Sequence, residues 1–209
     1  MAAPLEKAVA IPAEGPTLDG IFLRGRGEGD PFAGAVIAPP HPLYGGSMDN
    51  PVVSELAYAL CAAGVASLRF NWRGVGASEG APSGDPAEAD ADYAAALAHL
   101  AATLPGPLAA CGYSFGAAAA VRAASAERVR RLVLVAPPPS LCDFVALARF
   151  AGRVLVVVGG RDAIAPAEAL RVRVPPRPEA ELVVIAEADH FFGTGLAALH
   201  RAVLASWQR

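Results

Sequence analysis

Leu108-Ala-Ala-Cys-Gly112-Tyr-Ser114-Phe-Gly116-Ala-Ala-Ala-Ala120 carries the most structural information in the chain. An apolar run meets Gly-x-Ser-x-Gly and passes directly into four alanines. Runs that are apolar on both faces suit strands buried in a parallel sheet. The glycines let a strand and a helix pass close together where a Cβ would collide. A sharp strand-to-helix turn here lifts the Ser114 hydroxyl clear of the sheet and holds Ser114 in a strained conformation. The helix that follows aims its positive end and its free N–H groups at the place where an oxyanion forms. In a Gly-rich chain the five-residue pattern is weak by itself, so its context has to support it.

Outward from this turn, the same alternation of strand and helix repeats. Ala35–Ala38, Val65–Phe70, Leu132–Ala136, Val154–Val158 and Leu182–Ile185 are short, mostly apolar runs bounded by Gly, Pro or charge. Between them Pro51–Ala63, Pro86–Leu104, Phe115–Ala126, Pro166–Val172 and Leu196–Trp207 read as helices. Asn50-Pro51 and Asp85-Pro86 are N-terminal signals, with a capping side chain and a proline in the first turn. Ala8–Ile11 and Leu18–Leu23, separated by Glu14-Gly15-Pro16, suggest an opening hairpin. The expected fold is α/β: a doubly wound, mostly parallel sheet with an antiparallel start, forming one domain over residues 1–209. About fifteen residues separate the strand ending near Ala136 from the next, room for one short helix at Asp143–Phe150 and no sizeable lid.

Composition narrows the function. With 209 residues, 54% hydrophobic and 18% charged, the chain can bury a sizeable core and is not a disordered segment. A net charge of −3 gives no basic face for nucleic acid. No run of 18 apolar residues is free of charge, Pro or Gly, and Met1–Lys7 lacks the apolar stretch of a secretory signal, so a cytoplasmic protein away from the membrane is expected. Nearly a quarter of the residues are Ala, and Lys7 is the only lysine, a bias that GC-rich codons explain. A single lysine near the terminus disfavours Schiff-base chemistry. Cys61, Cys111 and Cys142 follow no metal-like spacing and read as small hydrophobes, so neither metal nor cofactor is expected.

In a doubly wound sheet the chemistry sits in loops after the carboxyl ends of strands. Of the four histidines, His99 and His200 fall inside helical runs. His190, in Ala188-Asp-His-Phe-Phe-Gly193, follows the last strand, where a neutral imidazole can take a proton from Ser114 and return it to a leaving group. Asp162, one strand end earlier, is the preferred orienting acid, its carboxylate fixing the imidazole tautomer. Asp143 and Asp189 are the alternatives, although Asp189 adjoins His190 and adjacent side chains diverge.

Pro39-Pro-His-Pro-Leu-Tyr-Gly-Gly-Ser47 follows the strand Ala35–Ala38. The N–H of Phe115 is the first expected oxyanion donor, and the second comes from this loop. Prolines cannot donate, which leaves the N–H of Leu43 or Tyr44, with His41 as a brace. Tyr44, Phe115, Phe191 and Trp72 are expected to line an open, shallow site. Arg73 is expected to pin loops. Gly74-Val-Gly76 lacks the third glycine of a dinucleotide fingerprint, which argues against a nucleotide-dependent oxidoreductase.

These residues resemble the α/β-hydrolase superfamily, and within it a small, lidless bacterial group of predicted hydrolases. The resemblance rests on His41-Pro-Leu-Tyr-Gly-Gly-Ser-Met-Asp-Asn50, Arg69-Phe-Asn-Trp-Arg-Gly-Val-Gly76, Gly112-Tyr-Ser-Phe-Gly116, Asp162-Ala-Ile-Ala-Pro166 and Ala188-Asp-His-Phe-Phe192, and runs from roughly residue 20 onward. The chain departs from that group at Pro39, where a second His is usual, and from the wider superfamily at Asn71, where Asp is common. The resemblance implies an α/β-hydrolase fold and a Ser114–Asp162–His190 triad. It also implies a carboxylesterase-like activity on a small-molecule ester. Thioesterase activity and a non-catalytic binding role are the alternatives.

Overall fold

The computed structural model describes residues 6–26 and 34–208. The Met1–Leu5 part of the N-terminal segment considered above lies outside the described residues. Among the described residues eight strands form one sheet: β1 (Glu6–Ile11), β2 (Leu18–Leu23), β3 (Gly34–Ala38), β4 (Ala66–Phe70), β5 (Leu108–Tyr113), β6 (Val129–Val135), β7 (Arg153–Gly159) and β8 (Ala180–Ile185). Their spatial order is β1-β2-β4-β3-β5-β6-β7-β8. β1 and β2 pair antiparallel, as do β2 and β4, and every other neighbouring pair is parallel. The fold is therefore the mostly parallel α/β-hydrolase sheet with an antiparallel N-terminal hairpin.

The helices are α1 (Pro51–Ala62), α2 (Pro86–Thr103), α3 (Phe115–Arg122), α4 (Phe144–Arg149), α5 (Ala167–Arg171) and α6 (Leu196–Trp207). The chain steps from β3 outward to β4, then reverses past β3 to β5. With right-handed crossovers, that reversal places α1 and α2 on opposite faces of the sheet. α1 packs against α6, and α2 against α3. The loops after β3 and β5 flank the reversal point, which is where a crevice opens in such sheets.

Local chemistry sets the helix starts. Asn50 Oδ1 accepts the Val52 N–H at 2.9 Å, and Asp85 Oδ1 accepts those of Ala87 and Glu88 at 2.8 and 3.1 Å, each ahead of a proline. α3 is shorter than its sequence pattern suggests, because residues 123–125 tighten into a 3₁₀ turn. All of residues 115–121 are buried, since the small side chains let α3 lie directly on the sheet. β3 and β5 are buried along their whole length, as continuous apolar runs require. The Tyr93 hydroxyl lies between the carbonyls of Cys111 and Val36, at 2.8 and 3.1 Å. Cys111 is a core residue whose thiol burial pushes up to about 12, and burial does the same to Cys142.

Between β6 and β7 the only helix is α4, capped by Asp143, and among the described residues no large lid covers the ends of the strands. Among the described residues no helix is long and apolar enough to cross a membrane.

Candidate active site

Ser114 sits between β5 and α3 with φ 53° and ψ −116°, a region that L-residues rarely adopt. The turn is enforced on both sides. A Cβ at Gly112 would collide with the Gly116 carbonyl, and one at Gly116 with the carbonyls of Ala38 and Pro39. Ser114 N–H donates to the Val135 carbonyl at 2.8 Å, which ties the turn to the end of β6.

His190 and Asp162 reach the same spot from the ends of β8 and β7. Ser114 Oγ lies 3.0 Å from His190 Nε2, and His190 Nδ1 lies 2.8 Å from Asp162 Oδ2. Asp162 and His190 are 5% and 6% exposed, so little water competes for these bonds. The second carboxylate oxygen of Asp162 accepts the N–H groups of Ile164 and Ala165 at 2.8 and 2.7 Å, which fixes its plane. The Tyr113 hydroxyl donates to the His190 carbonyl at 2.8 Å, and burial keeps that phenol protonated by pushing its pKa well up. The alternative acids are occupied elsewhere. Asp143 caps α4 through Val145 and Ala146, and Asp189 accepts the N–H groups of Phe191 and Gly193.

The loop after β3 corrects one expectation. The Leu43 N–H donates to His41 Nδ1 at 3.2 Å, and the Tyr44 N–H to the His41 carbonyl at 3.1 Å. Both are spent inside a 3₁₀ turn over Pro42–Tyr44, so neither Leu43 nor Tyr44 is a free donor. Gly45 and Gly46 N–H are likewise used, on the carbonyls of Pro42 and His41. The His41 N–H is left without an acceptor among the described residues, and His41 lines the pocket beside Ser114 and Phe115. Counting prolines in the sequence pointed past His41, although it is the first non-proline after β3. At the start of α3, the Phe115 N–H has no intrahelical partner.

A second correction concerns Trp72. It is 1% exposed and lies beneath the loop, its indole N–H shared between the carbonyls of Pro39 and Pro40 at 3.2 and 3.0 Å. Its apolar bulk fills the core and its one donor serves the loop, so it does not line the pocket. Arg73 does pin loops, through Asp92 and Glu88 on α2. Asn71 accepts the Met48 N–H at 2.8 Å and donates to Asp19 at 3.1 Å.

Above Ser114 and His190 lies a cavity of about 400 Å³. Tyr44, Phe115 and Phe191 line it, and Leu141 and Ile164 join them. These last two were not foreseen, yet both follow strand ends, Leu141 after β6 and Ile164 two residues past Asp162. The described lining contains no Asp, Glu, Lys or Arg. Among the described residues no group of three or more His, Cys, Asp or Glu is arranged to hold a metal ion.

Comparison with known proteins agrees with this architecture. Residues 41–152 match the family model for the alpha/beta hydrolase fold. An alpha-beta serine hydrolase homologue from Coxiella burnetii superposes with a TM-score of 0.87 at 31% identity, covering 95% of this chain and 96% of that one. A lidless serine hydrolase from Xanthomonas campestris gives 0.85 at 30% identity, covering 98% and 94%. An uncharacterized protein of Rickettsia prowazekii is 31% identical over 170 residues, 76% of this chain and 71% of its own. On the matched residues and the shared fold, the chain belongs to the alpha/beta hydrolase family.

Proposed function

We propose that this protein is a serine hydrolase that cleaves carboxylic esters of small substrates through an acyl-enzyme on Ser114. The observation that carries the reading is the unbroken relay from Ser114 Oγ to His190 to Asp162, at 3.0 and 2.8 Å. Ser114 Oγ attacks the ester carbonyl carbon while His190 Nε2 takes its proton. Asp162 holds the proton on Nδ1, so that Nε2 is the free base, and stabilises the imidazolium that forms. The oxyanion accepts hydrogen bonds from the N–H groups of Phe115 and His41, at the positive end of α3. Collapse expels the alcohol, which leaves with the proton from His190. Water activated by the same imidazole then frees the acid and restores Ser114.

The described lining supports an uncharged substrate, since no guanidinium, ammonium or carboxylate among its described residues would pair with a charged group. Tyr44 and Phe191, both largely exposed, offer apolar surface to its acyl or alcohol part. The test uses short p-nitrophenyl esters together with a fluorophosphonate probe. Turnover and labelling at Ser114 are expected. Intact, folded protein that neither turns over these esters nor takes the label at Ser114 refutes the proposal.

A further inference from the structure

Among the described residues, three α-helices and one 3₁₀ helix begin at a side chain that accepts an N–H two residues on. For α1, α2 and α4 the caps are Asn50, Asp85 and Asp143, the short side chains usually found there. At the turn over Pro42–Tyr44 the cap is a ring nitrogen: His41 Nδ1 accepts the Leu43 N–H at 3.2 Å. An Asn would serve for that bond alone, so the ring has a second use. Its centroid lies 4.6 Å from the ring of Phe115 and 4.7 Å from that of Tyr44. Its far edge abuts Gly84, where a Cβ would come within 2.8 Å of Cε1 and 2.9 Å of Nε2. The ring is thus held between the loop after β3, the first residue of α3 and the segment leading into α2.

We infer that the His41 imidazole is a positioning residue that sets the distance between the two oxyanion donors, a role that rests on the esterase reading above. One donor is His41's own N–H and the other is that of Phe115, and the side chains of these two residues pack on each other. The Leu43 cap holds the His41 backbone at φ −61° and ψ 123°, and with it the orientation of the first N–H. The Phe115 contact fixes where the loop stands relative to α3. Burial lowers the His41 pKa from its usual value, so the ring stays neutral near pH 7 and keeps the Nδ1 lone pair that accepts from Leu43.

Three variants separate the cap from the ring. His41→Asn keeps an acceptor at two-residue range and loses the ring; His41→Phe keeps the ring and loses the acceptor; His41→Ala loses both. With p-nitrophenyl butyrate, kcat of His41→Ala is expected to fall roughly 10- to 100-fold, the scale of a misplaced transition-state donor, with KM within about twofold. The Asn and Phe variants each recover part of the loss. A wild-type kcat in the Ala variant, or Asn and Phe variants no better than Ala, overturns the inference. If the Ala variant does not fold, the Asn and Phe variants against wild type decide it: both must lose kcat, and neither only KM. Amide exchange at residues 41–46 reads the loop without turnover, and should rise at least about tenfold in His41→Phe and stay near wild type in His41→Asn. Unchanged exchange in His41→Phe also overturns it. This exchange pattern across the variants, together with a wild type that hydrolyses no ester, refutes the esterase reading and leaves the loop-positioning role standing.

Discussion

The two ends of the parallel strands carry hollows of opposite character. At the amino ends, a groove of about 540 Å³ runs between α2 and the start of β6, lined by alanines and by the Asp90–Arg122 pair. A neighbouring groove of about 560 Å³ lies on the other side of the same connection, towards α4. At the carboxyl ends, the hollow over Ser114 is smaller, about 400 Å³. Size therefore ranks the hollows in the wrong order for chemistry. Only the small one has a strained backbone beneath it, a relay of hydrogen-bonded side chains, and N–H groups without intrahelical partners. The difference follows from the direction of the sheet: at the carboxyl ends strands run into the free N–H ends of helices, and at the amino ends they follow the carbonyl ends of helices, which offer acceptors and no donor to an oxyanion.

The largest expected effect lies at the carboxyl end. Ser114→Ala and Asp162→Asn are each expected to lower kcat for ester hydrolysis by about 10⁴-fold or more, with the thermal midpoint little changed. Steady-state kinetics alongside melting curves check this. Retention of more than a tenth of the activity by Asp162→Asn would mean that another acid orients His190.

Next in size is a contrast between two glycines near the site. Gly116→Ala puts a Cβ into the carbonyls of Ala38 and Pro39 and should destabilise the fold by about 1–3 kcal/mol, the usual cost of overpacking. Gly193 faces nothing within 4 Å, so Gly193→Ala should stay within about 0.5 kcal/mol of wild type. Denaturant midpoints measure both. Equal costs would mean that the close approach of β3 and α3 is not what shapes the turn.

The smallest effect belongs to the amino end. Arg122→Ala removes a partly exposed ion pair with Asp90, whose side chains are 23% and 42% accessible. It should cost under about 1 kcal/mol and leave kcat/KM unchanged. A severalfold change in kcat/KM would make the larger groove part of the enzyme's working surface.

The legible parts of this protein were those set by local rules. The strand-to-helix turn at Ser114 follows from two glycines at fixed spacing, and the starts of α1 and α2 from Asn50-Pro51 and Asp85-Pro86. Six parallel strands were visible as apolar runs, and the short α4 was bounded by the spacing between β6 and β7. His190 and Asp162 could be singled out because each follows a strand, and the structure brings them to Ser114. What escaped were assignments that depend on where a group points. Trp72 has the composition of a lining residue but its indole finds two loop carbonyls beneath the surface. The N–H groups of Leu43 and Tyr44 are present in any sequence reading, yet both are consumed by His41.

The sequence by itself determined the alternation of strands and helices, the strained serine turn and the order in which serine, acid and histidine leave their strands. These depend on side-chain periodicity, on glycine's missing Cβ and on which residues carry a titratable group, all of which are properties of neighbours along the chain. Tertiary structure alone decided which N–H groups stay unbonded, which aromatic ring faces the pocket, and that His41 meets Phe115 across a gap of more than seventy residues. A hydrogen bond is satisfied or left open only by what comes within about 3 Å of it. In a packed interior that neighbour usually arrives from a distant part of the chain.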